Sequence, residues 1–179
     1  IDALFTATSA TCVTGLIVHD TATYWSGFGQ GVILLLIQIG GMGVITIAIL
    51  LTRMSGRKIS LKWRTVMQEA ISAPKMQGIV KLTGFIVKTI VIIELAGAVL
   101  MYPVFAEKVG FLKGIWYSVF HSVSAFCNAG FDLMGIKGKY SSLTTVSTSV
   151  VINVVIILLI IIGGIGFITL DDIKRHKFH

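Results

Sequence analysis

Two short segments rich in small residues, each ending in glycine, are the part of this sequence best suited to chemistry. Residues 9–15 read S-A-T-C-V-T-G and residues 124–130 read S-A-F-C-N-A-G, about 115 positions apart. The sequence shows no carboxylate pair, no H-E-x-x-H motif, no phosphate-binding glycine loop and no activated nucleophile. The groups on offer are backbone carbonyls, which can replace the hydration shell of a cation. We therefore expect ion coordination and no enzymatic activity.

A second repeated block, made of apolar residues and glycines, follows each segment. Residues 35–46 read L-L-I-Q-I-G-G-M-G-V-I-T and residues 158–169 read L-L-I-I-I-G-G-I-G-F-I-T. The repeating unit is thus a short small-residue segment, a loop and a long apolar segment. Both copies have the same order, which predicts parallel repeats related by an axis along the membrane normal.

The composition is that of an integral membrane protein. Hydrophobic residues make up 55% of the chain and charged residues 13%, with a mean hydropathy of +0.90. Residues 28–52, 82–104 and 147–170 are each long and apolar enough to span a bilayer as a helix. The expected fold is all-α and multi-pass, in the plasma membrane.

The net charge of +7 follows membrane topology and does not indicate nucleic-acid binding. Basic residues concentrate between the first two spans and after the third, which predicts that both regions are cytoplasmic. In the link, the seven basic residues face one acid, so contact with anionic lipid or a cytosolic regulatory subunit is one interpretation. The positive-inside rule alone is the other. The basic residues of the link are Arg53, Arg57, Lys58, Lys62, Arg64, Lys75 and Lys81.

Residues 2–11 and 118–125 are too short to cross a bilayer and are predicted to be re-entrant helices, with Asp2 as a cap of the first. Non-helical backbone at membrane depth is tolerated where it lines a water-filled cavity, so the glycine-ended segments after these helices are candidates for an ion path. The negative C-terminal ends of two such helices would favour a cation. Residue 130 ends the second segment as residue 15 ends the first.

Glycines in the long apolar segments have two interpretations, which the sequence leaves open. They permit either close packing of the re-entrant segments or a gating hinge. The inner-helix glycines are Gly40, Gly41, Gly43, Gly163, Gly164 and Gly166.

Several side chains in apolar surroundings require an interpretation. Lys88 lies near the cytoplasmic end of its span and is expected to snorkel, whereas Glu94 is deeper and fits either a structural hydrogen bond or a functional role. His121 is expected to pack between helices. Cys12 and Cys127 are interpreted as small buried apolar residues and not as a disulfide.

The words T-A-T-S-A-T-C-V-T-G-L, I-G-G-M-G, S-V-S-A-F-C-N-A-G-F and I-G-G-I-G resemble the pore subunits of the Trk/Ktr/HKT potassium transporter family, most closely the KtrB type. The resemblance implies four linked repeats of outer helix, pore helix with filter loop and inner helix around one K⁺ pathway, as in K⁺ channels. It also implies a homodimer on a cytosolic nucleotide-binding regulatory subunit of the KtrA/TrkA type, with Na⁺ as a coupling or activating ion and no other cofactor.

On this resemblance, residues 1–53 hold the pore loop and inner helix of the first repeat, 54–77 the cytoplasmic link and 78–179 the second repeat. A gating loop and an arginine belong to the third and fourth repeats. A glycine in the first filter goes with K⁺ over Na⁺ in this family. The implied function is K⁺ uptake through filter carbonyls; the alternative is a broken-helix secondary transporter for another cation or small solute. The implied filter residues are Val13, Thr14, Gly15, Asn128, Ala129 and Gly130.

Overall fold

The computed structural model of the chain describes residues 1–43, 79–136 and 138–165. The predicted link at residues 54–77, Gly166 and the basic C-terminal tail lie outside these ranges. Every regular element in the described ranges is helical, as the composition predicts. The α-helices are α1 (Asp2–Thr11), α2 (Thr21–Tyr24), α3 (Gly27–Met42), α4 (Ile79–Val109), α5 (Phe111–Phe126) and α6 (Val150–Ile165), and two 3₁₀ turns follow α5 at Met134–Ile136 and Ser142–Val146.

The chain divides into two compact units. The first combines Ile1–Gly41 with Ile92–Gly164, and the second combines Met42–Val91 with Ile165–His179. Both glycine-ended segments, α1, α5 and nearly all of α3 and α6 belong to the first unit. The candidate site is therefore described within that unit alone.

One helix of the described chain is long and apolar enough to cross a membrane, at Gly84–Val109 within α4. The described parts of the first and third predicted spans form shorter apolar helices, Gly27–Met42 and Val150–Ile165. We expected the second span to end at residue 104, just after Pro103, and this was wrong, because α4 continues through Pro103 to Val109. A proline can stay in a membrane helix when neighbouring groups satisfy the freed backbone.

The short helices also differ in detail from their predicted bounds. The helix before the second segment begins at Phe111, seven residues earlier than expected. Asp2 does not cap α1: Ile1 holds the cap position, and the Asp2 carboxylate instead pairs with His19 Nε2 at 2.9 Å. The first helix is therefore tied to the loop that follows its own glycine-ended segment.

The second repeat is centred on α5, whose inner residues are buried between α4 and α6. Gly97 of α4 lies against Ser122 of α5 and Leu159 of α6. Near the beginning of α5, Gly114 lies against the backbone of Ala106. A glycine at each crossing removes the side chain that would separate the helices. The helix α5 is thus held against α4 at two points along its length, which helps to fix the segment at its C-terminal end.

Candidate functional site

Both short helices end in the same hydrogen-bonded turn. At the end of α1 the backbone N–H of Thr14 donates to Ser9 O at 2.9 Å, and that of Val13 donates to Ala10 O at 3.2 Å. At the end of α5, Ala129 donates to Ser124 O at 2.8 Å and Asn128 to Ala125 O at 3.0 Å. This is the Schellman pattern, in which the residue after the C-cap adopts a left-handed conformation. The repeat seen in the sequence is therefore also a repeat of backbone geometry.

The dihedral angles of the two segments agree position by position. Val13 and Asn128 have φ values of 56° and 57°, and Gly15 and Gly130 both have 74°. Asparagine tolerates this region, but a β-branched valine there is a genuine outlier. We call residues 12–15 and 127–130 the first and second filter segments. In both segments the second and the fourth residue have a positive φ.

The two filter segments touch one another through their glycines. A side chain at Gly15 would begin 2.5 Å from the carbonyl oxygen of Ala129, and the equivalent point at Gly130 lies 3.8 Å from Gly15 Cα. Gly15 therefore has to be glycine for two reasons, the positive φ and the neighbouring carbonyl. The second reason places filter carbonyls of one repeat beside the filter glycine of the other.

The carbonyl oxygens named from the resemblance have no hydrogen-bond partner among the described residues. Within the described ranges, no hydrogen bond reaches the carbonyl oxygens of Val13, Thr14, Asn128 or Ala129. The amides of these four residues are used by the turns that end the helices, which leaves the oxygens as the unpaired groups of the backbone. Such oxygens can serve as ligands for a cation.

The inner-helix glycines lie against the filter segments where α3 and α6 pass them. Side chains at Gly40 and Gly163 would collide with the carbonyls of Thr11 and Phe126, the last residue of each short helix. A side chain at Gly41 would collide with Cys127. These contacts support the packing interpretation of the glycines over the hinge.

The other inner-helix glycines have no such neighbour among the described residues. Nothing lies within 4 Å of the side-chain position of Gly164, and the same holds for Gly43, which follows α3 with a φ of +78°. Gly166 is outside the described ranges, so its interpretation stays a prediction.

The two cysteines, expected to be equally buried, differ. Cys127 is buried against Gly41, as predicted, whereas Cys12 is exposed. The prediction for Cys12 was therefore wrong. Its counterpart is covered by the inner helix of the other repeat, and no described helix occupies the matching position beside Cys12. Both cysteines have free thiols.

The buried polar side chains of α4 and α5 are held by specific hydrogen bonds. Glu94 accepts from Gln38 Nε2 at 3.0 Å. His121 lies 2.7 Å from Tyr117 O through Nδ1, accepts from the Leu133 N–H through Nε2 at 3.3 Å and stacks on Phe105. The helix-packing interpretation of His121 is confirmed. Lys88 is exposed, as expected for a snorkelling side chain.

Sequence reasoning missed Asp20, which connects the loops after the two filter segments. Its Oδ1 accepts from the backbone N–H groups of Ala22 and Thr23, and its Oδ2 accepts from Tyr140 N at 2.8 Å. The carboxylate also lies against Gly135, where a side chain would not fit. Tyr140 in turn donates its hydroxyl to Val18 O at 3.2 Å.

The sequence has clear relatives among cation transporters. The family model described as TrkH, cation transport protein, matches residues 1–177. The chain is 49% identical over 176 residues to the potassium/sodium uptake protein NtpJ of Enterococcus hirae, which covers 98% of this chain and 38% of that protein. It is 42% identical to the Ktr system potassium uptake protein B of Bacillus subtilis, with 99% and 39% covered, and 35% identical to that of Vibrio alginolyticus, with 98% and 37% covered.

The chain belongs to the TrkH family of cation transport proteins. It is a helical membrane protein of that family, and its sequence spans less than two fifths of the length of the relatives it matches.

Proposed function

We propose that this chain forms part of a K⁺ uptake pathway in the plasma membrane, in which the carbonyl oxygens of the two filter segments replace the hydration shell of the ion. The observation that carries the proposal is the pair of filter segments, which share one backbone conformation, lie in contact at Gly15 and leave four carbonyl oxygens unpaired among the described residues. The C-terminal ends of α1 and α5 lie at the same place, and a helix C-terminus favours a cation. The names of the relatives, a potassium/sodium uptake protein and a potassium uptake protein, support K⁺ as the ion.

We infer that further repeats complete the pathway, because equivalent residues of the two repeats differ in burial in a regular way. Ile37 of α3 is 0% exposed, whereas its counterpart Ile160 of α6 is 42% exposed. Phe120 of α5 is 0% exposed, and its counterpart Phe5 of α1 is 42% exposed. We infer that the exposed member of each pair is the one that lacks a neighbouring repeat. The two repeats therefore form an arc, with one surface on α6 and one on α1 that further repeats would cover.

A groove beside α1 supports an outer helix for the first repeat. The groove has a volume of about 330 Å³ and is lined by α1, α3 and the loop between them. Two of its lining residues, Ala7 and Leu36, are the counterparts of Ser122 and Leu159, against which α4 packs in the second repeat. Thr6 Oγ1 is buried in the groove without a hydrogen-bond partner in the described ranges. An outer helix like α4 would fill the groove and could offer the missing acceptor.

The long helices do not favour the alternative of a broken-helix secondary transporter. That class predicts interruptions within spanning helices, with the solute bound at the breaks. Within the described residues, α3, α4 and α6 are continuous, and the irregular backbone follows the short helices. This arrangement supports our proposal that the irregular segments are filter loops.

The finer proposals concern coupling and partners. We propose that Na⁺ serves as a coupling or activating ion, which the printed name of the E. hirae relative, a potassium/sodium uptake protein, supports. The relatives named as members of a Ktr system support a further subunit, and we propose a cytosolic nucleotide-binding regulator, a homodimer of the full-length chain and contact of the link with lipid.

The test is Rb⁺ uptake by the full-length protein in cells that lack their own K⁺ uptake, with Gly15→Ser. We expect a loss of uptake and of discrimination against Na⁺, because the new side chain collides with the Ala129 carbonyl at a position with positive φ. Gly31→Ala is the matched control, since nothing lies within 4 Å of its side-chain position. Unchanged uptake and unchanged discrimination in Gly15→Ser would overturn the filter assignment.

A further inference from the structure

We propose that the hydrogen bond between Gln38 and Glu94 positions the first inner helix against both filter segments and thereby tunes the affinity of the filter for K⁺. Gln38 and Glu94 are positioning residues in this proposal and do not touch the ion. The inference rests on the proposed function, because it assigns a role to residues behind the filter.

Glu94 is the point at which three helices meet. It lies in α4, is 7% exposed, and accepts a hydrogen bond on its side chain from Gln38 of α3 at 3.0 Å. Its backbone carbonyl accepts from the hydroxyl of Ser122 in α5 at 2.6 Å. The side chain of Glu94 is thus tied to the inner helix of the first repeat, and its backbone to the pore helix of the second.

The helix that Glu94 holds is the one that touches both filter segments. Gly40 of α3 lies against Thr11 and the Val13 side chain of the first repeat, and Gly41 lies against Cys127 of the second. Gln38 precedes these glycines by two and three residues, so less than one turn separates the hydrogen bond from the contacts. A rotation or a shift of α3 would change both contacts together.

The pair is not part of the repeated packing pattern. The counterpart of Gln38 in α6 is Ile161, so an aliphatic side chain satisfies the repeat at this position. Apolar packing tolerates small shifts between helices, whereas a buried carboxylate with an amide partner is satisfied in few arrangements. Replacing the Gln38 amide leaves the buried Glu94 carboxyl without its hydrogen-bond partner, which costs free energy. This cost is avoided only if α3 moves so that the carboxyl finds another partner. The polar pair therefore fixes the position of α3 relative to α4, whereas an isoleucine at position 38 would only fill the space between the helices.

The experiment is a set of variants of the full-length protein that keep, break or reverse the hydrogen bond. Glu94→Gln retains an acceptor for Gln38, and Glu94→Leu removes it. Gln38→Glu places two carboxyl groups together, and the double variant Gln38→Glu with Glu94→Gln restores one donor and one acceptor in reversed positions. Ile92→Ala, an exposed position of the same helix, is the control.

The readouts are the KM and Vmax of Rb⁺ uptake, its inhibition by Na⁺, and the rise in melting temperature of the purified protein on adding K⁺. For Glu94→Leu and Gln38→Glu we expect the KM to rise about tenfold and the stabilisation by K⁺ to weaken, because each change removes the hydrogen bond from Gln38 to the buried carboxyl. Glu94→Gln, the double variant and Ile92→Ala should stay within about twofold of wild type, since each retains a hydrogen bond between positions 38 and 94.

A merely structural role would lower Vmax in proportion to the amount of folded protein and leave KM and Na⁺ inhibition unchanged. That result for Glu94→Leu overturns the proposal, as does a double variant no better than Gln38→Glu. If these results occur while Gly15→Ser still abolishes discrimination, the filter assignment stands and only the role of the pair is wrong. If wild type gives neither Rb⁺ uptake nor K⁺ stabilisation, the proposed function is wrong, and this inference with it.

Discussion

At the scale of single residues, the two filter segments share one left-handed position, and at Val13 this conformation opposes the side chain. Val13 and Asn128 adopt left-handed φ values within one degree of each other, although only asparagine suits that region. Such strain costs about 1–3 kcal/mol and persists where neighbouring contacts over-determine it. Here the Schellman hydrogen bonds and the contact between Val13 and Gly40 do so. The strained backbone is the same backbone whose carbonyls are proposed as ion ligands.

Asp20 makes a separate prediction at this scale. Asp20→Asn keeps one oxygen for the two N–H donors of the α2 turn, but presents an amide N–H₂ group to the N–H of Tyr140. We expect the free energy of unfolding to fall by about 1–3 kcal/mol, which is the cost of an unsatisfied buried hydrogen-bonding group. The measurement is the melting temperature of the purified full-length protein.

Asp132→Asn is the matched control for that prediction. Asp132 is half-buried, and the Oδ1 that accepts from Met134 N has an equivalent in the amide oxygen of asparagine. Its melting temperature should therefore stay close to that of wild type. Equal effects of the two variants would show that Asp20 holds no special place between the loops.

The residues of the filter divide into those that the sequence could predict and those that it could not. Gly15 and Gly130 were predicted from the repeat, and the structure gives both a positive φ. The left-handed Val13 could not be predicted, because its propensity favours extended backbone and the contacts that override it come from α3. Asp20 was missed because the hydrogen bond that links the two loops comes from the N–H of Tyr140, 120 positions away in the chain.

At the scale of elements, α3 is the helix that contacts both filter segments. It touches the filter segment of its own repeat through Gly40, that of the next repeat through Gly41, and α4 through Gln38. Glycines allow this approach because they remove the side chains that would hold the helix away. A helix that borders two filters can fix the distance between them.

The glycine at position 41 gives a prediction for this helix. Gly41→Ala introduces a methyl group into the space of Cys127, and overpacking of this kind costs about 1–3 kcal/mol. Gly31→Ala in the same helix meets no neighbour and should be neutral or stabilising by up to about 1 kcal/mol. Melting temperatures with and without K⁺ would measure both.

The same change at Gly164 extends this prediction to the inferred arc. Gly164 has open space in this chain, but its counterpart Gly41 is covered by the following repeat. In the full-length protein we expect Gly164→Ala to be as damaging as Gly41→Ala. A harmless Gly164→Ala, beside a damaging Gly41→Ala, would contradict a third repeat in the equivalent position.

The existence of the helices was predictable from apolar length, but some of their ends were not. Pro103 indicated a helix end, since proline removes a hydrogen bond, yet α4 continues for six residues beyond it. The beginning of α5 at Phe111 was missed because Lys113 and Gly114 separate Phe111 and Leu112 from the rest of the helix and favour a loop. Tertiary contacts, such as Gly114 against Ala106, decide these ends, and sequence spacing does not show them.

At the scale of the whole molecule, we propose that the two repeats are part of a larger arrangement. The family membership, the order of the repeats and their common direction were predicted from the sequence, and the family is shown by the match over residues 1–177. The contrast in burial between Ile37 and Ile160, and between Cys127 and Cys12, could not be predicted, because it depends on which repeat has a neighbour. The contrast supports the proposal that further repeats surround one pathway.

The central claim is that the unpaired carbonyls of the filter segments hold the transported ion. The most direct measurement is the anomalous scattering of Rb⁺ in crystals of the full-length protein grown with Rb⁺ in place of K⁺. We predict a peak at coordination distance from the carbonyl oxygens of Thr14 and Ala129, and its loss in Gly15→Ser. A Rb⁺ site elsewhere in a transport-competent protein, with none at these oxygens, would contradict the account.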